Sequence, residues 1–152
     1  MLDNIIKDSD FANVMQKNMQ DMILHFFSKE QNFGVLCKIK DVSFSPELPE
    51  DIYKQFHQMT LFFLAGYTFE TARLDGEYLI FEAGFGTDNF GSLVTVPLLS
   101  IMQIIIEETP VLINLALYNK ERKEIISKTK DKGVENSMNS FLANPENSKF
   151  LK

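Results

Sequence analysis

Residues 74–85 read Leu74-Asp75-Gly76-Glu77-Tyr78-Leu79-Ile80-Phe81-Glu82-Ala83-Gly84-Phe85, and this stretch decides the fold class. An Asp-Gly pair between two strand-like runs signals a hairpin, because the tight turns that match strand twist need positive φ, which Gly adopts without steric cost. In the return run Leu79, Phe81, Ala83 and Phe85 recur at every second residue, so they share one face of a strand. Upstream, residues 59–74 form a second strand region whose centre, Leu61-Phe62-Phe63-Leu64-Ala65, is solidly apolar, with a kink expected at Gly66. Downstream, Thr87-Asp88-Asn89-Phe90-Gly91 supplies the next turn and leads into Leu93-Val94-Thr95-Val96.

Beyond this centre the period changes. Phe11, Val14, Met15, Met19, Met22, Ile23, Phe26 and Phe27 follow helical spacing behind Ser9 and Asp10, which are good N-caps. From Gly34 the period is two: Val35, Cys37 and Ile39 share a face, and then Val42 and Phe44 carry on with shifted parity. Such a slip predicts a bulge or bend near Lys40 and Asp41. Ser45-Pro46-Glu47-Leu48-Pro49 stops that strand, and residues 49–56 suit a short helical turn. Pro97 is well placed to open a helix over residues 98–106, apolar nearly all round and therefore buried. Glu107-Glu108-Thr109-Pro110 ends it, residues 111–117 read as a last strand, and residues 118–130 as an exposed helix.

The expected architecture is α+β: an N-terminal helix packed on a strongly bent, mainly antiparallel sheet, an open half-barrel, with C-terminal helices. Residues 1–132 are expected to form the domain and residues 133–152 a helical or flexible tail. The helix of residues 11–27 offers a wider apolar stripe than one small sheet needs, so a homodimer is also expected.

Composition narrows function. The chain has 152 residues, 45% hydrophobic and 24% charged, which suits one domain with its own core. A net charge of −6 opposes a surface built to neutralise phosphates, so no nucleic-acid partner is expected. The basic residues between 119 and 132 interleave with Glu121, Glu124 and Asp131 at helical salt-bridge spacing, the pattern of a solvated helix. Cys37 is the single cysteine, so no intrachain disulfide can form. With no signal peptide at the N-terminus and no apolar run long enough for a membrane span, the expected location is cytoplasmic.

The inventory of chemistry is short. His25 and His57 have no second His or Cys at ligand spacing, so neither metal nor cofactor is expected. Gly84-Phe85-Gly86 lacks the Lys-Ser or Lys-Thr of a phosphate loop and reads as a turn. Glu107 and Glu108 point to different sides of a helix end, which does not support paired acid-base work. A non-enzymatic, binding role is what remains, with an enzyme or small-ligand binder that uses the Phe-rich interior as a pocket as the alternative.

Three stretches resemble the stringent starvation protein B family, adaptors that hand tagged polypeptides to the ClpXP protease. These are Ser28-Lys29-Glu30-Gln31 with Asp41-Val42 and Pro49, then residues 61–65 with Leu74 and Phe81-Glu82-Ala83-Gly84-Phe85-Gly86, then Val94-Thr95-Val96-Pro97-Leu98. The resemblance spans residues 21–107 and implies an extended peptide lying in an apolar groove between Gly66-Tyr67-Thr68-Phe69 and Ala83-Gly84-Phe85. Phe69 and Phe85 could equally fill the interior. Where the family often places arginines facing an acidic tag, this chain has Tyr67 and Gly84, so the implied client is more apolar. In that family a basic, apolar C-terminal tail binds the ClpX-type unfoldase; here Phe150, Leu151 and Lys152 would correspond. A second resemblance, Lys40-Asp41-Val42-Ser43-Phe44 with Pro49-Glu50-Asp51-Ile52-Tyr53, is to the export chaperone SecB, and a type III secretion chaperone shares the opening helix. All three imply unfolded or extended protein segments as partners.

Overall fold

Two strands bent through the same corner form the backbone of this molecule, and a computed structural model describes it over residues 1–118. The chain opens with α1 (Leu2–Ile6) and α2 (Ser9–Ser28). The cap of α2 is one residue earlier than expected: Asp8 Oδ1 accepts from the Asp10 N–H at 3.1 Å. At its far end Glu30 takes a left-handed φ of 52°, while the Glu30 and Gln31 amides bond back to the Phe27 and Phe26 carbonyls. That closure satisfies the last carbonyls and turns the chain into the first strand.

β1 (Phe33–Lys38) runs into a 3-10 turn, Ile39–Asp41, and emerges as β2 (Ser43–Ser45). The turn lies where the apolar parity slips. After α3 (Glu50–Tyr53) come β3 (Met59–Leu64), α4 (Gly66–Thr71), β4 (Arg73–Asp75), β5 (Tyr78–Phe85) and β6 (Phe90–Pro97). A second 3-10 turn, Leu98–Ser100, then leads to β7 (Ile101–Ile106) and β8 (Thr109–Ile113). The fold is α+β, with a long N-terminal helix and two antiparallel four-stranded sheets, ordered β3-β1-β7-β8 and β2-β6-β5-β4.

The two sheets share one ribbon. Cys37 pairs with Ile101 in the first sheet and Ser43 with Thr95 in the second; six residues forward on one strand match six back on the other, so register survives the bend. The two 3-10 turns face each other at that bend. Ser100 is fully buried and its Oγ donates to Asp41 Oδ2 at 2.8 Å, clasping one turn to the other. Asn114, also fully buried, donates from Nδ2 to the Leu99 and Ile101 carbonyls and accepts from the Ala116 amide, tying the chain after β8 to the same corner.

Inside the bend lies one core. Leu79, Phe81, Val94 and Val96 of one sheet meet Phe33, Val35, Cys37, Leu64, Ile101 and Ile104 of the other, with Met19 and Ile23 of α2. Phe26 and Phe27 extend the helix contact onto Phe33, with ring centroids 5.4 and 6.0 Å away. Val14 and Leu24 stay exposed.

Several elements differ from the sequence reading. Residues 98–106 are a short turn and a strand, not a helix: Pro97 closes β6, and the β-branched Ile run suits a strand paired on both sides. Glu107 and Glu108, at φ 48° and 69°, form the two-residue loop of the β7–β8 hairpin rather than a helix end. Residues 59–74 are not one strand, because α4 interrupts them. The hairpin loop after β4 is Gly76-Glu77, one residue later than expected. The last strand is Thr109–Ile113, displaced toward the N-terminus from residues 111–117. The helix expected over residues 118–130 lies outside the described residues beyond Tyr118, as do the tail of residues 133–152 and Phe150, Leu151 and Lys152.

Ser100→Ala leaves the bend without its clasp and should cost about 2 kcal/mol, while Asn114→Ala strands two carbonyls and an amide and should cost about 3 kcal/mol. Urea unfolding midpoints of the two variants, measured beside the wild type, check both values and their order.

Candidate peptide-binding edge

The open edge of β5 follows from a mismatch in strand length. β4 is three residues long and pairs only with Tyr78, Leu79 and Ile80, whereas β5 continues to Phe85. The next backbone donor on that side, the Glu82 N–H, is taken by the Thr71 hydroxyl at 3.0 Å. Thr71 in turn donates to the Thr68 carbonyl at 3.2 Å. The last turn of α4 therefore stands in for a strand partner at Glu82. Because alternate residues of a strand direct their backbone groups to the same side, Gly84 presents its N–H and C=O beyond this point. Among the described residues no strand pairs with residues 82–85 on that side.

Gly66 makes α4 possible. It follows an extended Ala65 and adopts φ +58°, a reversal that a side chain would resist, so the chain leaves β3 and coils against β5 instead of continuing as a strand. Tyr67 then stands 65% exposed over the edge, its hydroxyl donating to Glu82 Oε2 at 2.5 Å. That hydrogen bond, and secondarily the nearby carboxylate charge, hold the Tyr67 phenol above its ordinary pKa. Gly84 is exposed too, and a Cβ there would collide with Asn89 Oδ1, which folds back from the β5–β6 loop. The glycine keeps this edge flat.

The seven residues expected to line a groove divide into two groups. Tyr67, through Glu82, and Gly84 are both exposed along β5, with Gly66 and Thr68 in the helix that carries Tyr67. Phe69 and Phe85 turn inward. Phe69 packs edge-on to Phe27 and Phe33, centroids 5.8 and 6.5 Å apart, and Phe85 joins Phe44, Phe56 and Phe62 at 5.6 to 6.3 Å. Ala83 packs at the margin of the core. On the other side of α4 is an open cleft of about 590 Å³ lined by Phe27, Glu30, Asn32, Gly66, Phe69, Glu70 and Ala72. Glu30 and Glu70 bring carboxylates to this cleft, while the Arg73 guanidinium donates to the Thr71 carbonyl at 3.3 Å at the end of α4.

Two residues of the edge escape a sequence reading. Glu82 is detectable in part, since strand alternation puts it on the face opposite Phe81. Thr71 is not, because its role exists only once α4 is a helix.

Cys37 offers no nucleophile. It is fully buried, donates weakly to the Thr60 carbonyl at 3.6 Å, and is pushed up to about 12 by burial and then by the charge of Asp41. Among the described residues no group of three His, Cys, Asp or Glu side chains could hold a metal ion, and no helix is long and apolar enough to cross a membrane. At pH 8 the native thiol should react with 5,5′-dithiobis(2-nitrobenzoate) at least about a hundred-fold more slowly than in denaturant, since thiolate and access are both withheld. The two progress curves measure the ratio directly.

Comparisons of the chain with protein-family models, with curated proteins and with solved structures gave no match in any of the three.

Proposed function

We propose that this chain is a non-catalytic peptide-binding adaptor, which takes up an extended segment of a client protein at the Gly84 end of β5, beyond the Thr71 contact at Glu82, and presents it to a AAA+ protease. The observation carrying this reading is the length mismatch that leaves β5 unpaired beside an exposed Tyr67. An added strand gains affinity from main-chain hydrogen bonds and selectivity from its side-chain neighbours. Here the neighbours are the exposed Tyr67 ring and the Glu82 carboxylate it donates to, so an apolar segment is favoured. Delivery to a ClpX-type unfoldase rests on the resemblance to the stringent starvation protein B family, in which Phe150, Leu151 and Lys152 would correspond to the unfoldase-binding segment.

An array of overlapping peptides identifies the tightest-binding extended segment, and fluorescence anisotropy then measures its affinity. Tyr67→Ala should weaken binding by about five-fold, roughly 1 kcal/mol, and N-methylation of alternate peptide amides should abolish it. Lys38→Ala, in the other sheet, should change nothing. Affinity indifferent both to Tyr67→Ala and to N-methylation contradicts strand addition at this edge. Deletion of residues 148–152 should leave peptide affinity intact while ending any acceleration of client degradation by ClpXP; unchanged acceleration contradicts the adaptor step.

A further inference from the structure

Among the described residues, only one face of the sheet β3-β1-β7-β8 is covered. Phe33, Val35, Leu64 and Ile104 point to the core and α2, so the alternate residues point away. Register aligns these outward positions in rows across the four strands. Phe63, Gly34, Ile105 and Pro110 make one row, and Leu61, Leu36, Gln103 and Ile113 the next. Phe63 is 64% exposed and Ile113 58%, and the Phe63 and Leu61 side chains lie over Gly34. The alternation continues past β8, where Asn114 and Ala116 are buried and Leu115 and Leu117 exposed. Across the paired outward positions of these strands the one charged side chain is Lys38, at the end opposite Met59.

An apolar face on this scale needs a cover. Four strands about 4.8 Å apart and some six residues at ~3.3 Å span roughly 20 Å by 20 Å. With side-chain relief and the Leu115–Leu117 row, the accessible area reaches the order of 600 Å² per partner, the lower range of stable specific interfaces. The occupant is indicated by what the face lacks and by what it holds. With no charge pattern to match, it does not select a charged partner. At its centre is one polar side chain, Gln103, half-buried between Leu36 and Ile113. A carboxamide both donates and accepts, so two copies of Gln103 facing each other across a two-fold axis satisfy one another, whereas an ordinary apolar segment would leave the amide unpaired.

We propose that this outer face is a two-fold interface with a second copy of the chain, its sheets packed face to face and the Gln103 amides paired at the axis. This places self-association on the sheet rather than on α2, and it leaves the β5 edge, in the other sheet, open in both copies.

Sedimentation velocity on the full chain, from about 1 to 100 µM, tests the interface, with a dissociation constant expected at or below the order of 10 µM. Phe63→Glu and Ile113→Glu, both at exposed positions, should each give a monomer with an unchanged circular dichroism spectrum. Val14→Glu on α2 should leave the dimer intact. Gln103→Glu should associate at pH 4 and weaken at least ten-fold by pH 7, as two carboxylates at the axis ionise. A wild-type monomer at 100 µM overturns the proposal, including the case in which removing residues 119–152 is needed before a dimer forms. A dimer that survives both Phe63→Glu and Ile113→Glu overturns it as well, and pH-independent association of Gln103→Glu overturns the placement of the axis.

Discussion

The hydrogen bond from Ser100 to Asp41 closes the corner on which the rest of this structure depends. A two-stranded ribbon can bend sharply only where both strands give up ladder pairing at the same level, and each then exposes polar backbone to a dry interior. The chain meets this with two short 3-10 turns facing one another, a buried hydroxyl joining them, and Asn114 satisfying the Leu99 and Ile101 carbonyls. Because register is unchanged across the bend, each bent strand contributes to both sheets. Leu79, Phe81, Val94 and Val96 are thereby brought over Val35, Cys37, Leu64 and Ile104 in a core that neither sheet could close alone.

The candidate site follows from this corner. β5 hangs from β6, which is one arm of the ribbon, and β4 can reach only its first three residues because α4 takes up the chain between β3 and β4. Inward-facing Phe69 and Phe85 anchor the two borders of the site in separate aromatic clusters, Phe69 against α2 and Phe85 against Phe44, Phe56 and Phe62. Rigidity below and an unpaired strand above suit strand addition, since little ordering is left to be done when a peptide arrives.

Much of this was legible from residue types whose local meaning is unambiguous. Alternation along residues 79–85, helical spacing from Phe11 to Phe27 and the parity slip at Lys40 and Asp41 each correspond to an observed element. What failed did so for identifiable reasons. The run from Leu98 to Ile106 is apolar at every period, so spacing could not separate a buried helix from a buried strand, and only the Ile content argued for the latter. The hairpin that would have settled it turns on Glu107-Glu108, without the Asn or Gly that usually marks positive φ. Gly66 was recognisable as a break, but not as the start of a helix, because six residues carry too little periodicity. For the site, Tyr67 and Gly84 could be named from sequence, whereas their relation to Thr71 and Glu82 is tertiary and leaves no local trace.

Peptide capture by an unpaired strand makes a claim about one backbone amide, that of Gly84. Hydrogen exchange resolved at single residues, on the free protein and on its complex with the tightest array peptide, reads it directly. The Gly84 amide is expected to exchange freely in the unliganded protein while Val94 and Val96 are protected, and peptide is expected to slow Gly84 at least about ten-fold. A Gly84 amide already protected without peptide, or equally fast with it, would contradict strand addition at this edge.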